Sequence, residues 1–198
     1  MAITYTNRKR VTYTLCQGKT KRGKVRYFFA REPRGETVNE IPAGYAIRES
    51  VNGVVSLVRA RPALLLEEEV RTVQDAVWAH PNSRHYRVDA KADTITIYEH
   101  AGVDLGEVTA VVAGELGLPD ALAQAAVRRM QERESTHGQF APILRFNLTD
   151  KEARLFTAQR MRFTGAGGWI NVDFDKPVGE LATTLIPTLG TEEFFELF

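Results

Sequence analysis

Two alternating runs flank a three-residue turn near the N-terminus, and that pairing constrains the fold more than any other feature. Val11, Tyr13, Leu15 and Gln17 alternate with Thr12, Thr14 and Cys16, while Val25, Tyr27, Phe29 and Arg31 alternate with Arg26, Phe28 and Ala30. A period of two sends successive side chains to opposite faces of a strand. Lys21-Arg22-Gly23 lies between the runs, with glycine where the chain must turn left-handed, and closes a common kind of hairpin. The register set by this turn brings Leu15 opposite Phe29 and Gln17 opposite Tyr27, so that the apolar alternates share a face. YAIRES-VNG-VVSLVR predicts a second hairpin turned at Asn52-Gly53. Pro33-Arg34-Gly35 and Ile41-Pro42-Ala43-Gly44 read as connecting loops, and a small antiparallel sheet is expected to end near Arg61-Pro62.

The remainder is mixed. Leu66, Val70, Val73 and Val77 recur at helical spacing, the first turn carries Glu67, Glu68 and Glu69, and Pro81 stops the helix. HYRVDAKADTITIYE predicts a hairpin turned at Ala90–Asp93, and Asp104 with Glu107 forms the pattern of a capping box for a helix running to Gly117. A further helix is expected from Asp120 to about Ser135, then strands at Ile143–Leu148, Arg154–Phe163 and Trp169–Phe174. Val178, Leu181, Ala182 and Leu185 share one face of a helix that ends before Pro187. The expected fold is α+β, with N-terminal antiparallel β-hairpins followed by a mixed antiparallel-sheet and helix domain. The boundary falls between a basic 1–62 and an acidic 63–198.

That boundary rests on charge. The net +1 over 198 residues conceals 13 Lys/Arg against 4 Glu in 1–62, a net of +9, and 13 Lys/Arg against 21 Asp/Glu in 63–198, a net of −8. Such segregation points to a polyanionic partner or to attraction between the two parts. No apolar stretch approaches the ~18 residues that span a bilayer, and MAITYTNRKR has no apolar secretory core. Cys16 is the only cysteine, which excludes an intrachain disulfide and a Cys-cluster zinc site. The expectation is a cytoplasmic protein without a membrane partner and without a cofactor.

Most of the motifs that suggest chemistry read as structure. Gly18-Lys19-Thr20 ends like a phosphate-binding loop, but the glycine required five positions before the second one is Tyr13, and a turn and strand follow instead of a helix. TGAGGW (Thr164–Trp169) lies between strands and reads as a hairpin loop. His80, His85, His100 and His137 lack a compact ligand spacing. Asp173 and Asp175 alternate on a strand and point the same way, which is compatible with a shared divalent cation and equally with the commoner pair of exposed carboxylates on an edge strand. Asp89-Ala90-Lys91 has the acid-x-Lys spacing of metal-dependent nucleases, although the nearest earlier acid, Asp75, falls on a helix. A nuclease is the lesser alternative. No acid, base and nucleophile set emerges, so the chain reads as non-catalytic, with no metal site.

The basic hairpin carries the leading functional reading. Residues 1–35 hold ten Lys/Arg against Glu32 alone. Arg8, Lys9, Arg10, Lys19, Lys21, Arg22, Lys24 and Arg26 are the candidate contacts to a DNA or RNA backbone, since Lys and Arg bind phosphates by charge and counterion release. Tyr13, Tyr27 or Phe28 would stack on unpaired bases if exposed. The competing reading is a hairpin whose aromatics face the core while its lysines guard an exposed edge.

A second stretch bears on nucleic acid. In VAGELGLPDALAQAAVRRM (Val112–Met130) a small residue at Ala113, Gly117 at the turn, apolar flanks Leu116 and Leu118, and apolar Ala123 and Ala126 have a spacing that resembles the helix-turn-helix family of transcription regulators. The resemblance implies that Asp120, Gln124 and Arg128 would face bases, a set that begins with an acid. Two antiparallel helices packed on a sheet account for the same spacing.

At the C-terminus, TEEFFELF surrounds aromatic residues with Glu192, Glu193 and Glu196. Phe194, Phe195 and Phe198 are the candidate partner contacts if this acidic-aromatic turn is offered to a basic surface, and core anchors if it docks at home. The leading expectation is a non-catalytic, nucleic-acid-associated binding protein. The alternative is an interaction or assembly protein whose basic N-terminal and acidic C-terminal halves pair, within a chain or by self-association.

Overall fold

The computed structural model describes residues 1–162 and 167–196. The fold is α+β and begins with β-hairpins, as the turn signals predict. The chain divides into two compact units, Met1–Ala60 with Gly102–Gly138, and Arg61–Ala101 with Gln139–Phe198.

The first unit opens with β1 (Thr4–Thr6), β2 (Thr12–Lys19), β3 (Val25–Ala30) and β4 (Glu36–Thr37), which form one antiparallel sheet around β2. β5 (Tyr45–Glu49) and β6 (Val55–Arg59) form a separate two-stranded sheet, so the single small sheet expected here is in fact two. Leu15 pairs with Phe29 and Gln17 with Tyr27, the register predicted from the turn. Gly23 and Gly53 both have left-handed φ, 79° and 74°, where each hairpin reverses. Tyr27 meets Tyr45 edge to face with ring centroids 6.1 Å apart, joining β3 to β5.

The second unit starts with α1 (Glu67–Ala79) and the hairpin β7 (Tyr86–Lys91) and β8 (Thr94–His100). The chain then leaves through α2 (Leu105–Glu115) and α3 (Asp120–His137), which belong to the first unit, and returns into β9 (Phe140–Asp150) beside β8. β10 (Leu155–Arg162) and β11 (Gly168–Lys176) complete an antiparallel sheet in the order β11-β10-β9-β8-β7, and α4 (Val178–Leu185) and α5 (Glu192–Glu196) follow. The end of the strand expected at Phe163 and the first half of the TGAGGW stretch, residues 164–166, lie outside the described residues.

One face of this sheet forms the core. Ile95, Ile97, Leu144, Phe146, Phe156 and Ala158 are buried from the strands, and they cluster with Val73 and Val77 of α1 and Leu181 of α4. Val178, Leu181, Ala182 and Leu185 are all buried, which is the helical face their spacing predicts. Arg154 closes a fork on the carboxylate of Glu69, its Nε 2.8 Å from Oε1, and Glu69 is itself buried. On the other face a ladder of side chains satisfies itself. Thr94 donates to Asn147, Asn147 to Gln159, and Gln159 to Asn171, at 3.0, 2.9 and 2.6 Å. Arg145 also donates to Gln159 and lies over the Trp169 ring, 4.2 Å from its centroid.

α2 and α3 form a helical hairpin. Asp104 caps α2 by accepting from the Glu107 N–H at 2.9 Å, and Glu134 of α3 accepts from the Leu105 N–H. Gly106 admits Gln131, whose Cγ would stand 2.7 Å from a Cβ at that position. α2 buries Gly106 and Ala113 and exposes Leu105, Val108, Val111 and Val112, and Leu116 at its C-cap is exposed as well. The apolar flank Leu116 of the helix-turn-helix spacing is thus 70% exposed.

Grouping by unit redraws the charge contrast. The first unit holds 15 Lys/Arg against 10 Asp/Glu and the second 11 against 15, net +5 and −4. Gly102–Gly138 carries six acids and three arginines, which moves negative charge into the basic unit. The cations themselves stay concentrated on the hairpin.

Candidate nucleic-acid interface

β2 and β3 form a ribbon whose tip, residues 19–26, is exposed and largely polar. The Thr20 N–H donates to the Lys24 carbonyl at 2.8 Å, and the Lys24 N–H reaches the Thr20 hydroxyl at 3.1 Å. These bonds close the loop that carries Lys21 and Arg22. Lys19, Lys21, Arg22, Lys24 and Arg26 are all exposed. Among the described residues none of the five is held in a salt bridge.

The other predicted contacts are placed differently. Arg8, Lys9 and Arg10 occupy the turn between β1 and β2, where Arg10 has φ 59°. Buried Asn7 anchors that turn, its side chain donating to the Gly53 carbonyl at 2.6 Å and accepting from the Val11 N–H at 2.9 Å. Glu49 gathers the Arg8 N–H, the Arg8 guanidinium and the Tyr5 hydroxyl at 3.1, 3.5 and 3.1 Å. The hydrogen bond to Glu49 raises the Tyr5 hydroxyl above its ordinary pKa, with burial and the carboxylate charge adding to it. Lys9 donates to the His137 carbonyl at 3.1 Å. Two of these three cations therefore work inside the unit, and the five at the tip form a separate group.

Strand pairing exposes a feature that the alternation pattern conceals. Cys16 pairs with Phe28 of β3 and with Thr37 of β4, so the two strands lie on opposite edges of β2. Residues 31–35 must therefore cross a face of β2. An open groove of about 600 Å³, lined by Arg26, Phe28, Ala30, Arg31, Glu32 and Arg34, places the crossing on the face that carries Phe28. Cys16 is consequently 0% exposed, although the sequence puts it on the face away from Leu15. Gly35 makes the crossing feasible. Its φ is +89°, and a Cβ there would stand 2.8 Å from the Gln17 carbonyl oxygen.

Directly opposed residues share a face, so Gly18, Arg26, Cys16 and Phe28 lie together. Phe28 passes so near Gly18 that a Cβ at 18 would be 3.3 Å from its ring edge. The Arg26 guanidinium lies over the same ring, 5.1 Å from its centroid. Gly18, which in sequence suggests a phosphate loop, instead makes room for an aromatic ring. Arg31 stands over Tyr13 at 5.9 Å, and Tyr27 packs on Tyr45, so Phe28 is the ring left at the groove. The signal for the groove in the sequence is Arg26-x-Phe28-x-Ala30 followed by Arg34-Gly35.

The other candidates do not assemble into a reaction centre. Asp173 is taken by Lys176 at 2.9 Å, and a bulge between Ala158 and Phe156 leaves Asp175 at φ 49°, which breaks the alternation assumed for a shared cation. Asp89 and Lys91 lie on β7, opposite Thr96 and Thr94. Among the described residues no cluster of three or more His, Cys, Asp or Glu has metal-binding geometry, and no helix is long and apolar enough to cross a membrane. At the C-terminus Phe194 is buried in the core while Phe195 is 53% exposed, and Phe198 lies outside the described residues. Comparison with protein-family models, with curated proteins and with solved structures finds no match for this chain.

Proposed function

We propose that this is a non-catalytic binding protein that grips the phosphate backbone of nucleic acid through the β2–β3 hairpin. The observation that carries the reading is the group Lys19, Lys21, Arg22, Lys24 and Arg26, exposed on one ribbon and without a salt bridge among the described residues. Cations left unneutralised on a ribbon release counterions when they meet phosphates, and a two-stranded ribbon is narrow enough to enter a major groove. Arg8 and Lys9 hold the ribbon's base to the rest of the unit and lend charge at longer range. Titration of the full-length protein with DNA and with RNA tests the reading. Binding at low salt is expected to weaken with a log–log slope of magnitude about 4–5, from roughly 0.9 per phosphate contact. Silence toward both polymers at low salt, together with salt-sensitive self-association in sedimentation, would replace this reading with pairing between basic and acidic surfaces of two copies.

A further inference from the structure

We infer that the groove on the Phe28 face accepts an unpaired base, which makes single-stranded nucleic acid the preferred ligand of the hairpin. The inference rests on the phosphate-binding reading and adds the class of polymer. About 600 Å³ is within the range of small-molecule sites and is ample for one nucleotide. Two of its lining side chains are stacked: the Arg26 guanidinium lies over the Phe28 ring, for which Gly18 on the paired strand leaves space. A planar cation held on an aromatic ring is a stacking platform for a base, and every base has a π-face to offer it. Arg34 also lines the groove and would meet a phosphate flanking the stacked base. Glu32 also lines the groove. A carboxylate repels phosphate but accepts hydrogen bonds from the exocyclic amines and ring N–H groups of a base. Those edges are engaged by the partner strand in a duplex and free in a single strand. Lys24, exposed just before β3, adds positive charge toward the tip.

The experiment compares an unpaired oligonucleotide, as DNA and as RNA, with a duplex of equal phosphate number, by anisotropy at fixed salt with the full-length protein. Phe28→Leu is expected to weaken single-strand binding about tenfold while duplex binding changes less than twofold. Arg26→Lys keeps the charge and removes the flat guanidinium on an exposed side chain, so it tests stacking even if Phe28→Leu disturbs folding. A several-fold loss toward the single strand is expected, clearly larger than the loss toward the duplex, whose phosphates Arg26 also meets. The inference is overturned if both variants lose the two ligands equally or lose neither, while the wild-type protein still binds both and the phosphate reading stands. Absence of any wild-type binding would overturn both.

Discussion

In the second unit Phe146, Phe156, Ile95, Ile97, Leu144 and Leu181 are fully buried around one sheet face, whereas the described residues of the first unit reach such burial only at Leu15 and Cys16. Val51, Val55 and Ala113 add little to that smaller core. The first unit is held instead by single connections: Asn7 on Gly53, Glu49 on Arg8 and Tyr5, and Gly35 against the backbone of Gln17. The difference teaches that packing and charge are kept apart. One unit supplies a conventional core, and the other presents cations and a groove on a thinly supported ribbon.

The harshest test of this division is Phe146→Ala. Truncating a fully buried ring costs about 3–5 kcal/mol, and hydrogen exchange should accelerate across β7–β11 while β2 and β3 keep their protection. Equal loss in both units would show a single cooperative body and break the comparison. A smaller and opposite effect is expected from Gly35→Ala. A side chain at φ +89°, 2.8 Å from a backbone oxygen, costs about 1–3 kcal/mol. Protection should fall at Cys16, Gln17 and Thr37 with the second unit unaffected, and undisturbed exchange at those amides would refute the close crossing.

Much of this division was legible in the sequence, for identifiable reasons. The pairs Leu15–Phe29 and Gln17–Tyr27 followed from a three-residue turn, because turn length fixes register. The buried face of α4 followed from helical spacing. β1 and β4 were missed because runs of three and two residues carry no measurable period. The face crossing by residues 31–35 was missed because it depends on which edge of β2 is still open, which is a tertiary choice. Without it Cys16 and Phe28 looked like the outer face of a ribbon, and the groove had no second wall. Linear charge counting also placed Gly102–Gly138 with the acidic part, whereas contacts place it with the hairpins.

The central claim is that the cations of the hairpin tip meet phosphates, and the salt dependence of duplex binding tests it most directly. Lys21→Ala, Arg22→Ala and Lys24→Ala, combined in one variant, remove three exposed charges. The log–log slope is predicted to shrink in magnitude by roughly 2–3 while thermal stability barely changes. A variant that binds more weakly with the wild-type slope, or binds just as well, would contradict it.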